Sequence, residues 1–302
     1  MRKIKSKGTA LARHCSLVHG IEQVQSSKSS SSKKLTQIIL YAFVILLFVI
    51  AFFPFYLTIV NSFKHQMQIF NMPWLPERPF RLDNYYDAFF RVIFPIFNSI
   101  IITIISVSIT IVATIFASYS FSRADFPFHR VLYVSVIALM MVPGFALLVP
   151  QFVMFHSLGL SNTYLGQALP PAANSIALGV MLMTAFFKNI PSSLMEAAAL
   201  DGAGDFRVLM KIIIPLSTPI IAAVAIMSSL TIWNNYIWPL VMTRGESVRP
   251  VILAITFLSG DVSQGDGLRL AGYVIASLPI IILFFFATKP FITGITAGAV
   301  KG

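Results

Sequence analysis

Residues 131–187 read VLYVSVIALMMVPGFALLVPQFVMFHSLGLSNTYLGQALPPAANSIALGVMLMTAFF and contain no Asp, Glu, Lys or Arg. A membrane-spanning helix needs about 20 mainly apolar residues, so this stretch is long enough for two. Four further stretches without charged side chains are each long enough for one span, namely residues 35–63, 92–122, 212–243 and 270–288. The sequence therefore predicts an all-α membrane protein with six transmembrane helices. The predicted spans are residues 37–60, 96–118, 131–154, 168–187, 216–242 and 270–288.

Apolar residues make up 57% of the chain and charged residues 11%, which is far more apolar than a water-soluble core requires. Several predicted spans contain proline, which removes a backbone hydrogen bond and kinks a helix. Membrane helices tolerate proline where neighbouring helices satisfy the freed groups, so a tightly packed bundle of kinked helices is expected. The prolines concerned are Pro54, Pro143, Pro150, Pro239 and Pro279.

The distribution of Lys and Arg predicts the orientation, because cytoplasmic loops of membrane proteins carry the excess of basic residues. With the N-terminus inside, the inner segments hold 15 Lys and Arg residues and the outer segments hold 7. After subtraction of Asp and Glu, the net charge is +10 inside and +1 outside. Both termini and the segment 188–215 are therefore expected in the cytoplasm. Topology accounts for the net charge, and nucleic-acid binding is not expected.

Residues 1–34 are rich in Ser and Lys and contain few large apolar residues. Such a composition cannot bury enough apolar surface to offset the entropy of ordering, so a disordered, basic cytoplasmic tail is expected. The apolar stretch that follows is too long for a cleaved signal peptide. Cys15 is the only cysteine, and it shares this tail with His14 and His19. Three donors without a supporting fold rarely bind a metal, so no metal site is expected.

Two outer segments are expected to be loops. Residues 61–95 form the longest connection, which either lies along the outer membrane surface as an amphipathic helix or contacts an external partner. Residues 244–269 contain Gly260, Gly265 and Gly267 and are expected to be flexible. The sequence does not separate the two interpretations of the first loop.

The predicted spans contain no Asp, Glu, Lys or His, the residues on which ion-coupled transporters depend at membrane depth. The chain also has no GxxxxGK[ST] loop, so it lacks that route to binding ATP phosphates. We therefore expect no enzymatic activity and no cofactor in this chain. If the chain takes part in active transport, another subunit has to bind the ATP.

The segment between the fourth and fifth spans is the natural place for such a subunit to act. Ser193 and Glu196 have the spacing of a capping box, which predicts a short helix that begins at Ser193. This helix should run through Leu200 and end near Gly202, and Asp205 should cap the next helix. On these grounds alone, a docking surface and an ordinary helical connector are equally good interpretations.

The same segment resembles the permease subunits of binding-protein-dependent ABC importers. Their signature is Glu-Ala-Ala, three residues, Gly, nine residues, Ile, one residue and Leu-Pro. This chain follows it from Glu196 to Pro215, with Ile214 in place of Leu. Further matches are MVP at 141–143, LGL at 158–160, NTY at 162–164, WN at 233–234, WP at 238–239 and GITAGAVKG at 294–302. Together they resemble the second permease of carbohydrate importers of the maltose type over residues 35–302.

This resemblance implies a type I ABC importer permease fold in the cell (inner) membrane. In that fold a second permease subunit completes the pathway, two cytoplasmic ATPase subunits bind ATP, and an extracytoplasmic solute-binding protein delivers the cargo. The resemblance also implies that the signature residues couple to an ATPase. The residues themselves agree with this role, because a small face through Ala197, Ala198 and Ala199 allows close approach and Gly202 lets the helix pivot. These coupling residues are Glu196, Ala197, Ala198, Asp201, Gly202, Ile212 and Pro215.

Trp233, Asn234, Asn235 and Tyr236 are candidates for the pathway or its gate, because aromatic rings and amides bind sugars. Asn234 lies 23 residues after Lys211. This is about 34 Å along a straight helix, whereas the hydrocarbon core of a bilayer is about 30 Å thick. The group is therefore expected near the outer interface, where aromatic residues are common. A structural or gating role is the preferred interpretation over cargo binding.

The cargo stays open between two classes at this point. The resemblance favours a sugar or oligosaccharide delivered by the binding protein. Permease motifs follow architecture more closely than cargo, so a non-sugar solute such as a glycerophosphodiester or polyol derivative is the alternative. A membrane scaffold or insertase without transport is disfavoured, because the coupling signature is complete.

Overall fold

The computed structural model describes residue 34, residues 36–258 and residues 265–299, with only the backbone for 286–299. The regular structure of these residues is helical. The helices are α1 Thr36–Ser62, α2 Gln66–Asn71, α3 Asp83–Arg123, α4 His129–Ala138, α5 Gly144–Ser157, α6 Tyr164–Lys188, α7 Ser192–Leu200, α8 Asp205–Val208, α9 Ile214–Leu216, α10 Thr218–Trp233, α11 Ile237–Met242, α12 Val251–Phe257 and α13 Gly265–Ala299. The 3-10 turn Leu139–Met141 extends α4, and the π-helical segment Leu209–Ile213 joins α8 to α9.

Some predicted features lie outside the described residues. These are the predicted disordered tail as far as residue 33, which includes Cys15, and the last three residues of the chain. Residues 259–264 of the predicted flexible segment, which include Gly260, lie outside as well. The chain divides into two units after Leu57, and the described residues of the first unit are residue 34 and the part of α1 as far as Leu57. The site and its neighbours lie in the second unit.

Four helices are long and apolar enough to cross a membrane alone: α1, α3, α6 and α13 as far as Phe285. Two bent pairs have the same length and composition. In the first, α4 with its 3-10 turn meets α5 at 99°, and in the second the segment Asp205–Leu216 meets α10 at 76°. If each bent pair counts as one span, the described chain has the six predicted spans, of which four are continuous and two are broken.

Prolines mark both breaks. Val142 has an extended backbone (φ −77°, ψ 118°), as residues before proline prefer, and Pro143 then leads into α5. The second bend lies at Ser217, which sits between Pro215 and Pro219, two residues without a backbone N–H. Pro150, in contrast, lies inside α5, so proline in a predicted span does not by itself locate a break.

The two predicted outer loops are partly wrong. Helix α3 begins at Asp83, so the last part of the predicted loop 61–95 belongs to a continuous helix of 41 residues. Helix α12 lies within the predicted flexible segment 244–269. Its residues Val251 and Ile255 are fully buried in a core that includes Val92 of α3. The glycines of this segment suggested flexibility, but its apolar residues pack into the helix bundle.

The remaining part of the first outer loop packs on the ends of α3 and α13. The Asn84 amide donates to the carbonyls of Ser62 (2.9 Å) and Lys64 (3.1 Å). Lys64 is fully buried and its ammonium donates to the Met72 carbonyl at 2.5 Å. Burial lowers the pKa of this ammonium below its usual value, and the negative charge of Glu77 opposes the shift. This loop is therefore an ordered part of the bundle.

Four buried hydroxyl side chains of α3 face α6 at intervals of four residues: Ser106, Thr110, Thr114 and Ser118. Three of them donate to backbone carbonyls of α6, and each acceptor lies 62 residues further along the chain. These bonds, which we call the hydroxyl ladder, are Ser106 to Ala168 (2.9 Å), Thr110 to Ala172 (3.2 Å) and Ser118 to Val180 (3.3 Å). The Thr110 hydroxyl hydrogen is shared with the Ser106 carbonyl of its own helix at 2.9 Å. The constant offset shows that α3 and α6 run parallel in one register.

Gly179 allows three helices to meet beside this ladder. A Cβ atom at this position would lie 2.9 Å from the Thr114 side chain of α3 and 3.2 Å from the Val224 side chain of α10. Membrane helices depend on such small residues because lipid gives no hydrophobic drive for their association. The contact at Gly179 therefore fixes how closely α3, α6 and α10 pack.

Candidate functional site

The segment 188–215 contains the short helix that the sequence predicts. Helix α7 ends at Leu200, and Gly202 follows with a positive φ of 74°. The predicted capping box is wrong, because α7 begins at Ser192 after Pro191 and no side chain caps it. Pro191 has a φ of −57°, which suits a helix start, and Ser193 is already the second helical residue. Asp205 is likewise the first residue of α8 and not its cap, which is Gly204.

The predicted coupling residues on this segment do not share one face. Glu196, Ala197, Asp201 and Gly202 are exposed. Ala198 is only 8% exposed and belongs to the core cluster of α6 and the π-helical segment. The expected small face through three alanines is therefore wrong at Ala198, because its methyl group packs inward and holds α7 to the bundle.

Two exposed apolar side chains on this segment were missed by the sequence analysis. Leu200 is 90% exposed at the end of α7, and Phe206 is 65% exposed in α8. Their apolar character in a hydrophilic loop was a signal in the sequence. They give the segment an apolar component beside the carboxylates of Glu196 and Asp201.

Ile212 and Pro215 lie between the short helices and α10. Ile212 is half-buried against the same core as Ala198, and the neighbouring Ile213 is fully buried. Pro215 is exposed and lies two residues before the bend at Ser217. These two residues therefore belong to the bend that connects the segment to α10 and not to the exposed side of α7.

Arg123 at the end of α3 fixes the other end of the segment. Its guanidinium donates to the carbonyls of Phe187 and Ile190, the latter at 2.6 Å. Carbonyls at the C-terminal end of a helix lack partners within the helix and attract positive charge. Arg123 thus joins α3 to the turn from which α7 begins. Its partners are backbone atoms, which is why the sequence analysis did not identify it.

A solvent-exposed groove of about 420 Å³ lies between the end of α3 and the short helices. It is lined by charges of both signs, from Arg123, Glu196 and Asp205, together with the Tyr119 ring. Within the part of the chain that the structure describes, no three His, Cys, Asp or Glu side chains are close enough to hold a metal ion.

The predicted pathway residues 233–236 lie at a break between α10 and α11, and the structure separates them. Trp233 is 5% exposed and packs in the core with Ile96 and Val251. Asn234 is exposed, and its amide donates to the Leu230 carbonyl at 2.9 Å. Asn235 and Tyr236 are half-buried, and the Asn235 side-chain oxygen accepts from the Trp238 backbone N–H at 3.3 Å.

Asn234 does not lie about 34 Å from Lys211 along one helix axis. The predicted distance assumed one straight helix from Lys211, but the chain bends by 76° at Ser217. Only the 16 residues of α10 precede Asn234 in a straight line. They cover about 24 Å, so the 34 Å estimate no longer supports a place at the outer interface.

Two cavities are lined by Asn174 of α6, and the smaller one reaches this break. The smaller, of about 240 Å³, also contacts Gln151 of α5 and Asn235. The larger, of about 470 Å³, is lined in addition by Ser175 of α6 and by residues of α10 that include Thr231. We call them the amide cavities. Asn174 and Gln151 were missed, although single amides inside apolar spans were a visible signal.

Residues 109–297 match the family described as "Binding-protein-dependent transport system inner membrane component". The probable starch degradation products transport system permease protein AmyC of Thermoanaerobacterium thermosulfurigenes is 32% identical, over 82% of this chain and 91% of that protein. The osmoprotective compounds uptake permease protein GgtD of Synechocystis sp. is 35% identical, over 68% of this chain and 69% of that protein.

The fold has a counterpart among solved structures. A chain from a bacterial ABC transporter involved in the import of the acidic polysaccharide alginate superposes with a TM-score of 0.73 at 23% identity. The match covers 85% of this chain and 97% of that chain. The resemblance stated from the motifs and the all-helical permease fold are thereby confirmed.

Proposed function

The chain belongs to the family of binding-protein-dependent transport system inner membrane components, and from this premise we propose that its cargo is a sugar or oligosaccharide. It is a multi-pass membrane permease of an ABC importer. The similarity to a permease for starch degradation products supports a carbohydrate as cargo.

The chain forms half of the translocation pathway, and a second permease subunit forms the other half. Two cytoplasmic ATPase subunits bind the ATP, so the chain has no cofactor and no enzymatic activity of its own. An extracytoplasmic solute-binding protein delivers the cargo. The excess of 15 basic residues over 7 supports placing both termini and the segment 188–215 in the cytoplasm.

The observation that carries the proposed coupling to an ATPase is the way α7 is held. Its exposed side presents Glu196 and Leu200, whereas Ala198 packs into the core and Arg123 fixes the preceding turn. A short helix that is exposed on one side and anchored on the other transmits a displacement to the spans. This is what a coupling segment has to do when an ATPase pair closes on it.

Reconstitution tests this function directly. Proteoliposomes that contain this chain, its partner permease and the ATPase subunits should import a labelled oligosaccharide when ATP and the binding protein are supplied. The chain purified alone should hydrolyse no ATP, since the ATPase subunits carry that activity. ATP hydrolysis by the isolated chain, or no import of any oligosaccharide by the complete complex, would contradict the proposal.

A non-sugar solute remains the second candidate, and one observation favours it. GgtD is described as an uptake permease for osmoprotective compounds, and it is 35% identical to this chain. A glycerophosphodiester or polyol derivative is the class concerned. Import of such a solute, together with no import of oligosaccharides, would decide for this alternative.

A further inference from the structure

Asn174 lies near the middle of a membrane-spanning helix with its side chain exposed. It comes 10 residues after the start of α6 at Tyr164 and 14 before its end at Lys188. These separations are about 15 Å and 21 Å along the helix. An amide that faced lipid at this depth would leave its donors and acceptors without partners, at considerable cost. The side chain therefore faces a polar environment outside this chain.

Two helix breaks converge on the same place. Gly144 follows the 99° bend that starts α5, and Asn235 lies in the break between α10 and α11. Both residues line the smaller amide cavity together with Asn174. Irregular backbone at membrane depth is tolerated only where protein buries it or where it lines a water-filled cavity. The breaks and Asn174 therefore point to a hydrated pathway at this face.

The hydrogen bonds of the lining residues show which groups are available to a cargo. Ser175 and Thr231 donate their hydroxyl hydrogens to carbonyls of their own helices, at 2.9 Å and 3.0 Å. Asn235 already accepts from a backbone N–H of α11. Among the described residues, the amides of Gln151 and Asn174 have no hydrogen-bond partner. These two amides keep all of their donors and acceptors for an incoming molecule, and the Ser228 hydroxyl and the NH2 group of Asn235 are also available.

We propose that Asn174 and Gln151 are cargo-binding residues of this subunit and that they select an uncharged, polyhydroxylated cargo. Amides match sugar hydroxyls because each partner both donates and accepts. The side chains that line the amide cavities are uncharged. An ionised carboxylate bound there would lose water without gaining a compensating charge. The inference rests on the proposed carbohydrate function and narrows its cargo to neutral oligosaccharides.

The test uses the complete transporter with its ATPase subunits and binding protein. A neutral panel of maltotriose, raffinose and arabinotriose is compared with an acidic panel of trigalacturonate and trimannuronate. The native complex should import at least one neutral sugar and neither acidic one. Asn174→Leu and Gln151→Leu should each lower that uptake at least tenfold, while the complexes still assemble and hydrolyse ATP.

Ala173→Leu is the matched control, because Ala173 is the exposed neighbour of Asn174 and lines neither amide cavity. Its uptake should stay within twofold of the native value. Import of an acidic trisaccharide as fast as a neutral one, or native uptake by both leucine variants, would overturn this inference and leave carbohydrate import standing. Import of no sugar from either panel would overturn the proposed function, and this inference with it.

Discussion

Helix α6 has two faces that meet their polar requirements differently. On one face, its carbonyls accept the hydroxyl ladder from α3, and Gly179 packs directly against Thr114. On the other face, Asn174 is exposed beside two cavities. On the first face, three of the four buried α3 hydroxyls find acceptors on α6, and the fourth, on Thr114, has no hydrogen-bond partner in the described chain. The second face needs something that the chain does not supply. One helix can therefore serve as scaffold on one side and as a functional surface on the other.

Substitutions separate these roles. Changes at the contacts between α3 and α6 should lower stability, whereas changes at the exposed parts of the chain should lower transport and leave stability nearly unchanged. The four changes that follow run from the largest expected effect to the smallest.

Gly179→Leu should have the largest effect, because its side chain would overlap Thr114 and Val224. Overpacking of this kind costs typically about 1–3 kcal/mol and occasionally more, and here it would push three helices apart. The thermal unfolding midpoint of the purified protein and its membrane abundance should both fall. Gly204→Leu is the control, since no described atom lies within 4 Å of a Cβ at that position. Equal unfolding midpoints for the two variants would contradict the assignment of this face as scaffold.

Arg123→Gln should come next, because it removes the guanidinium that holds two carbonyls before α7. Hydrogen bonds to charged groups contribute about 1.5–3 kcal/mol, and exposure of this side chain to solvent favours the lower end. We expect weaker co-purification of the ATPase subunits together with a modest loss of stability. Arg123→Lys should restore part of both, since Lys keeps the charge but not the planar fork. Full ATPase association of Arg123→Gln would show that the turn needs no anchor.

Gly202→Leu tests the exposed side of the comparison. The positive φ of Gly202 would cost a branched residue about 1–2 kcal/mol locally and redirect α7. Uptake should collapse while membrane abundance stays near normal, and Gly202→Asn should retain uptake because Asn tolerates this conformation. Ala198→Trp differs, since it would overfill the core and lower stability as well. Native uptake by Gly202→Leu would show that the segment 188–215 is an ordinary helical connector without a coupling role.

Ser106→Ala should give the smallest effect, because it removes one rung of the hydroxyl ladder. Such interhelical bonds in membrane proteins average about 0.6 kcal/mol. The unfolding midpoint should fall slightly, and uptake should not change. Ser120→Ala is the control, because the Ser120 hydroxyl bonds only to its own helix. A loss of uptake in Ser106→Ala without a loss of stability would show that the ladder acts in the transport movement and not in stability.

The sequence predicted the long apolar spans and the end of α7 well. Long stretches without charged residues and a glycine that can take a positive φ are strong local signals. It did not predict the breaks, since Pro143 marks one whereas Pro150 is accommodated inside α5. The capping box failed because α7 begins one residue earlier, at Ser192 after Pro191, and no side chain caps it. Hydrophobic periodicity did not identify the hydroxyl residues of α3, because they repeat every four residues but are not apolar.

The candidate site was predictable only in part. The family signature identified the coupling residues, and their coupling role stays a prediction. The signature does not show which way each side chain points. Ala197 and Ala198 are neighbours in sequence, and yet one faces solvent while the other faces the core. Arg123 escaped detection because it recognises carbonyls, which every residue has. Its role depends on where two helices end, and only the folded chain sets that.

The constant offset of 62 residues in the ladder limits how the bundle moves. Four residues of helix span about 6 Å, so each hydroxyl is one such step from the next carbonyl along α6. A slide of about half that step would leave the three hydroxyls between successive carbonyls of this face of α6. The ladder therefore resists small axial shifts of α3 relative to α6. Alternating access in this subunit should then carry α3 and α6 as one rigid body and concentrate its flexing at the bends beside Pro143 and Ser217.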